Sequence, residues 1–155
     1  MHTLNHIYQA PAGILDQLQH LFALLTKCKT NYESIATKIK DKDLHRTIIW
    51  LAQENNQYAY ELSCQIETMG GHIEVNPQHI KQPREDDNLE FNPLNTDKEI
   101  FAICAHNEKE VIKAYRKVLN EPYLAAGIKN MIRYQLNGLL CAFQRLRLLN
   151  ASLHR

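Results

Sequence analysis

The feature that most constrains this chain is a regular spacing of apolar residues between positions 14 and 39. Eight of them follow one another at alternating steps of four and three: Ile14, Leu18, Leu21, Leu25, Cys28, Tyr32, Ile35 and Ile39. A period near 3.5 residues puts such side chains on one face of an α-helix and favours packing against other helices at about +20°. The pattern therefore predicts a long amphipathic helix, at about residues 14–40, that belongs to a helical bundle.

Three further amphipathic stretches are expected to be helices, at about residues 43–69, 97–119 and 122–153. Asp43 is the expected N-cap of the second helix, and the pair Gly70-Gly71 is expected to end it, with a glycine in the left-handed conformation. Pro122 is expected in the first turn of the fourth helix, where its missing N–H costs nothing. The chain has only 5 Gly and 5 Pro among 155 residues, which agrees with long helices and few turns.

The lengths of the connections predict how the helices are arranged. The links after the first and third helices are a few residues long, so each joins antiparallel neighbours. The segment at 70–95 is long enough to span a helix of about 27 residues, because an extended chain covers roughly 3.3 Å per residue. Such a crossover lets the second and third helices run parallel. The prediction is an all-α fold, a single domain over 1–155 with the ferritin-like arrangement of four helices.

Polar residues interrupt the apolar stripes near the midpoints of three helices: Asn55 and Tyr58, Asn107, and Gln135. Helices of similar length bring their midpoints to one level, so these side chains are expected to form one polar layer in the core. Buried amides without partners cost about 1–3 kcal/mol each, so we expect them to bond one another or a trapped water. Two interpretations stay open. The layer sets the register of the helices, or it is a variant of a binding site.

Ferritin-like bundles place a two-metal site at this level, held by two glutamates and two Glu-x-x-His pairs. No Glu-x-x-His occurs in this chain. Asn55 and Tyr58 stand at the corresponding spacing in the second helix, and Gln135 and Gly138 in the fourth. Neutral amides cannot balance two divalent cations, so the sequence predicts neither a metal nor another cofactor. A second hypothesis keeps a rearranged site, in which Glu33, Glu54 and Glu108 converge on one ion.

The sequence resembles a bacterial family of ferritin-like four-helix bundles with no assigned activity, distantly related to rubrerythrin. The resemblance covers roughly residues 14–150. It rests on the following stretches: Asn31-Tyr32, Leu51-Ala52 through Leu62, Met69-Gly70-Gly71, Cys104-Ala105-His106-Asn107-Glu108 through Ala114-Tyr115, Gln135, and Arg145-Leu146-Arg147. It implies the ferritin-like fold and implies no activity.

Charge and local sequence narrow the partners. The net charge is +1, which disfavours a nucleic-acid-binding surface. The four cysteines are widely spaced and resemble neither a zinc site nor a disulfide framework. No signal peptide or membrane span is recognised, so the expected location is the cytoplasm. Trp50 lies beside the apolar stripe of the second helix, where a large aromatic often marks a subunit contact, so a homo-oligomer is expected.

These observations predict a non-enzymatic helical bundle, either stress-related or a protein-interaction module, because no catalytic motif stands in its proper context. Two alternatives remain open. One is a metal-binding oxidoreductase or storage protein that uses the rearranged carboxylate site. The other is a small-molecule binder in the bundle core, which space around Gly138 would favour.

Overall fold

Four helices make up the described part of the chain, residues 12–73 and 97–153 of a computed structural model. They are α1 (Ala12–Ala36), α2 (Lys42–Thr68), α3 (Asp97–Leu119) and α4 (Ala126–Leu153). No strand occurs among these residues. The predicted all-α, four-helix class is therefore confirmed.

The apolar stripes predicted for the first three helices are buried along their whole length. The prediction for the fourth helix is confirmed only in part. Of its expected stripe, Ile128, Gln135, Leu139 and Leu146 are buried, and the other members are not: Leu124, Met131, Ala142, Leu149 and Leu153. The face of α4 that enters the core consists of Ile128, Ile132, Gln135, Leu136, Leu139, Phe143 and Leu146. Apolar residues fill two adjacent rows of this helix, so spacing alone does not choose between them, and the row with Phe143 is the one buried.

The junction between α1 and α2 differs from the expectation by a few residues. Helix α1 ends at Ala36, not near residue 40. The N-cap of α2 is Asp41, whose carboxylate accepts a hydrogen bond from the Leu44 amide at 2.8 Å. The prediction of Asp43 as the cap was wrong, because Asp43 already lies in the first helical turn. Both aspartates suit a helix N-terminus, and the cap is the one with extended backbone.

The prediction of a left-handed glycine at the end of α2 was confirmed, and the prediction that Pro122 begins the fourth helix was wrong. Gly70 follows the C-cap of α2 with φ of +86°, so its left-handed conformation is confirmed. Helix α4, however, begins at Ala126 and not at residue 122. A backbone hydrogen bond of 3.1 Å from Glu121 N to Val118 O closes a turn after α3. Pro122 lies in the connection that follows, outside α4.

Each helix packs against two others, α1 and α4 both lying between α2 and α3. Side-chain contacts give the directions. Gln17, near the start of α1, bonds Glu121 beyond the end of α3, and Gln19 Nε2 donates to the His72 carbonyl beyond the end of α2 at 3.0 Å. Gln135 of α4 bonds Glu61 of α2, and ten residues later Arg145 lies over Trp50, which precedes Glu61 in α2. Neighbours are therefore antiparallel.

Helices α2 and α3, which lie across the bundle from each other, consequently run in the same direction. The expected crossover at 70–95 falls almost entirely on residues 74–96, which lie outside the described residues. Within the described ranges, no helix combines the length and the apolar character that crossing a membrane requires.

Candidate functional site

The four polar residues that the sequence places in the core are all buried. Gln135 is fully enclosed, Asn55 is 1% exposed, Tyr58 6% and Asn107 9%. They do not form one layer, however. Gln135 meets the Tyr58 carbonyl in one neighbourhood, Asn107 lies beside Tyr32 in a second, and Asn55 bonds only its own helix.

Gln135 is the centre of the first neighbourhood and joins three helices. Its amide nitrogen donates to the Glu61 carboxylate at 3.0 Å and to the Tyr58 carbonyl at 3.3 Å, both on α2. Its amide oxygen accepts a hydrogen bond from the Tyr115 hydroxyl of α3 at 2.9 Å. Every polar group of the Gln135 side chain is thus engaged, which is what burial of an amide requires.

Asn55 and Asn107 do not take part in this network. The Asn55 amide nitrogen donates to the Leu51 carbonyl of its own helix at 2.7 Å, and its side-chain oxygen has no protein partner. The Asn107 amide nitrogen also lacks one. These amides therefore do not bond one another, and the alternative of a trapped water stays a prediction. Asn55 turns back to the carbonyl four residues earlier, a local bond that short polar side chains commonly make in helices.

Tyr32 lies in the second neighbourhood, completely buried beside Asn107 and two thiols. Burial raises the pKa of Tyr32 well above its ordinary value, and negative charge on Cys104 or Cys28 would raise it further, while the Asn107 amide lowers it. Burial also raises the pKa of Cys28 and of Cys104 to about 12. Both thiols therefore remain protonated at neutral pH and act as small apolar filler, whereas Cys64 and Cys141 are exposed.

Tyr58 connects the core to the groove between α2 and α4. Its hydroxyl donates to the Glu54 carboxylate at 2.8 Å, and its ring meets the edge of Tyr134 with centroids 6.5 Å apart. The hydroxyl occupies the place where a β-carbon on Gly138 would stand. The space that the sequence suggests around Gly138 is therefore filled by Tyr58, and the hypothesis of a ligand in the core loses that support.

The groove changes the acidity of its titratable groups. Burial raises the pKa of Glu54, and the Tyr58 hydroxyl and the charge of Arg145 partly oppose that increase. Burial, followed by the Glu54 carboxylate, raises the pKa of Tyr58. The pKa of Tyr115 is also raised, chiefly by burial. Both tyrosines are therefore neutral hydrogen-bond donors at physiological pH.

The three glutamates of the rearranged metal site lie apart. Glu33 is exposed and pairs with Lys29 at 3.5 Å. Glu54 accepts from Tyr58, and Glu108 forms an ion pair with Arg147. Across residues 12–73 and 97–153, no three histidine, cysteine, aspartate or glutamate side chains lie close enough together to hold a metal ion.

Exposed aromatic and apolar side chains lie along the outside of the same groove. Trp50 is 49% exposed, and the Arg145 guanidinium lies 5.7 Å from the centre of its ring. Tyr134 is 69% exposed and Leu148 63%. We call this surface the α2–α4 face and define it by six residues: Trp50, Glu54, Glu61, Tyr134, Arg145 and Leu148.

Sequence reasoning missed Glu61, Tyr115 and Tyr134 as members of the site. A signal was available for Glu61, because Glu54, Tyr58 and Glu61 follow one another at steps of four and three, which puts them on one side of α2. Tyr115 directly follows Ala114 of the apolar stripe of α3. The spacing of the apolar residues gives no reason to expect Tyr115 in the site.

Comparison of the sequence with known proteins finds no matching family model and no matching curated protein.

Proposed function

We propose that this protein is a non-enzymatic, ferritin-like helical bundle that acts as an interaction module, and that its α2–α4 face binds a second copy of the chain. The ferritin-like assignment is supported by the common direction of α2 and α3, since a chain can join two parallel helices only by returning along the bundle. It is also supported by the resemblance described above.

The observation that carries the proposal is the exposure of Trp50, Tyr134 and Leu148 on one face. Large aromatic side chains and arginine are enriched in the centres of protein interfaces, and truncating such a residue often costs about 2 kcal/mol or more of binding free energy. Arg145, stacked on Trp50, adds the cation that such centres frequently contain.

The distribution of charge favours a second copy as the partner. Arg145 lies beside Trp50 at one end of the face, and Glu61 lies beside Gln135 nearer the other end. A two-fold axis midway between Arg145 and Glu61 would put Arg145 opposite Glu61 of the partner subunit. This ion pair would then form twice. A face of this kind is complementary to itself, as a two-fold dimer requires.

The chemistry of the buried network supports a structural role for it. The raised pKa values of Tyr58 and Tyr115 keep both hydroxyls protonated at neutral pH, and both donate to acceptors of the same network. The network fixes how α2 and α4 lie against each other, and thereby shapes the face that they share.

Sedimentation equilibrium of the full chain tests the proposal. The unmodified protein is expected to be a dimer at micromolar concentration, and Trp50→Gln should weaken it about 30-fold, which corresponds to the roughly 2 kcal/mol expected for a central aromatic. Tyr123→Gln is the matched control, because Tyr123 is an exposed aromatic that lies in the connection before α4, outside the α2–α4 face. This variant should dimerise like the unmodified protein.

A charge exchange identifies the geometry. Arg145→Glu and Glu61→Arg should each weaken the dimer, and the double variant should restore most of the affinity. Glu61→Arg also removes the bond to Gln135, so helix content and thermal stability of each variant are measured by circular dichroism. A chain that stays monomeric at 100 μM (about the upper end of cellular concentrations) overturns the proposal, as does a double variant no better than the single ones.

A further inference from the structure

The turn between α1 and α2 contains a pocket that none of the groups described above uses. Its volume is about 380 Å³, and it is lined by six residues: Ile39, Lys40, Lys42, His45, Arg46 and Ile49. A space of this size is in the range of cavities that bind small molecules. It lies at the N-terminal end of α2, and it does not include any residue of the α2–α4 face.

The lining combines positive charge with apolar surface. Lys40, Lys42 and Arg46 contribute three cations, and within the described residues none of them forms an ion pair with a carboxylate. Asp41, the acid nearest to them in sequence, uses its carboxylate to cap α2. The remaining first-turn acid, Asp43, is exposed and does not line the pocket. The pocket therefore has an excess of positive charge.

The His45 ring lines the pocket and is held in place by a hydrogen bond. Its Nδ1 lies 2.9 Å from the Ala36 carbonyl, which can only accept, so Nδ1 carries the hydrogen. That bond ties the first turn of α2 to the last residue of α1 and leaves Nε2 as the polar atom of the ring still available to a ligand.

We infer that this pocket binds an organic anion whose phosphate or carboxylate group contacts Lys40, Lys42 and Arg46 and whose short apolar part lies on Ile39 and Ile49. An inorganic anion would contact only the charged residues of the lining. An anion that also carries an alkyl group matches both kinds of lining. The inference does not depend on the proposed dimer.

Titration of the isotopically labelled full chain with hexyl phosphate, followed by NMR, tests the inference. The expected result is saturable shifts of backbone amides within residues 39–49, with affinity at least tenfold higher than for inorganic phosphate. Hexanol, which has the alkyl group without the charge, should cause no comparable shifts. Absence of saturable shifts up to 5 mM hexyl phosphate, about the weak limit for such ligands, overturns the inference. Equal responses to hexanol overturn it as well.

Matched variants separate this pocket from general attraction to positive charge. Lys42→Gln with Arg46→Gln should weaken hexyl phosphate binding at least tenfold. Lys113→Gln with Lys117→Gln removes the same charge from exposed positions on α3 and should leave the affinity unchanged. Equal loss in both double variants contradicts the assignment.

A vesicle assay distinguishes the source of the anion. Co-sedimentation with phosphatidylglycerol vesicles that is lost in the Lys42 and Arg46 variant assigns the site to a lipid headgroup. Binding of hexyl phosphate without co-sedimentation assigns it to a free small molecule. Either result supports the anion site, whereas co-sedimentation that persists in that variant contradicts it.

Discussion

The hydroxyl of Tyr58 lies where Gly138 has no side chain, so a residue of α2 fills the volume that a β-carbon on α4 would occupy. An added β-carbon would also stand 2.9 Å from the Glu54 carboxylate that accepts the Tyr58 proton. The close approach of α2 to α4 at this level therefore depends on the absence of one methyl group.

Gly138→Ala should destabilise the protein, although the same change inside an exposed helix stabilises by about 1 kcal/mol. The new methyl group must displace Tyr58, whose ring is held by Tyr134 and whose hydroxyl is held by Glu54, at a cost of about 1–3 kcal/mol. Urea denaturation measures the change in the free energy of unfolding. Gly127→Ala is the control, because a β-carbon there meets nothing within 4 Å.

The double variant Tyr58→Phe with Gly138→Ala identifies the colliding atom. Without the phenolic oxygen the alanine fits, so the variant should recover part of the stability that Gly138→Ala loses. If Gly138→Ala is as stable as the unmodified chain, the contact between Tyr58 and Gly138 does not limit how closely α4 packs against α2.

Gln135→Met and Asn55→Leu should affect stability differently. Gln135 has three partners, and its loss leaves the buried Tyr115 hydroxyl without an acceptor, at a cost of about 1–3 kcal/mol. Asn55 bonds only its own helix, so a leucine of the same branched shape should be neutral or stabilising. Chemical denaturation compares the two. Adding Tyr115→Phe to Gln135→Met should recover part of the lost stability. A larger loss of stability for Asn55→Leu than for Gln135→Met would contradict the finding that only Gln135 bonds other helices.

Glu54 should make stability fall as the pH rises. Its pKa in the folded state is raised above the ordinary value of 4.5, so the folded protein holds this proton more tightly than the unfolded chain. The contribution is present below pH 4.5 and is lost as the pH increases through the raised pKa. Relative to the unmodified protein, Glu54→Gln should therefore gain stability between pH 4 and 7, as measured by urea denaturation across that range.

Tyr58→Phe tests whether the Tyr58 hydroxyl opposes the increase in the pKa of Glu54. The Tyr58 hydroxyl lowers the pKa of Glu54, so its removal should raise that pKa further and extend the fall in stability to higher pH. An unmodified protein that gains stability relative to Glu54→Gln as the pH rises would contradict the direction of the shift.

The four cysteines should react with thiol reagents in two groups. Cys64 and Cys141 are exposed and should be alkylated at pH 8 in the native protein. Cys28 and Cys104 have pKa values of about 12, so at pH 8 only about one thiol in ten thousand is ionised. Mass spectrometry after brief alkylation counts the labelled sites, and full unfolding in urea should expose all four. Equal labelling of the buried pair under native conditions would show that the core opens on the timescale of the experiment.

Periodicity was enough to predict the faces of the first three helices, where the other apolar residues, such as Leu15 and Ile49, flank the stripe and are only partly buried. It failed in part on α4, where Met131 and Ile132 are equally apolar neighbours and only packing decides which enters the core. Asp41 and Asp43 present the same difficulty at the start of α2, since both are good caps and the backbone selects one.

The polar residues show a further limit of sequence reasoning. Burial of Asn55 and Gln135 could be predicted from their places in the stripes, but their partners could not. Gln135 is a long side chain that reaches across to Tyr115 and Glu61, whereas the shorter Asn55 reaches only its own backbone. Pairing depends on length, rotamer and the height of each helix, and none of these is contained in the spacing.

The hydrogen bonds of Gln135 also fix the height of one helix against two others. In the interior they tie α4 to α2 and α3, so a shift of α4 along either neighbour would break them. In α1 the buried Tyr32 hydroxyl lies beside the Asn107 amide of α3, but the two do not form a hydrogen bond of normal geometry. In the described chain, the hydrogen bonds of α1 to other elements lie at its two ends, at Gln17, Gln19 and Ala36. The height of α4 is therefore set by hydrogen bonds in the interior, whereas that of α1 depends on apolar packing and on the bonds at its two ends.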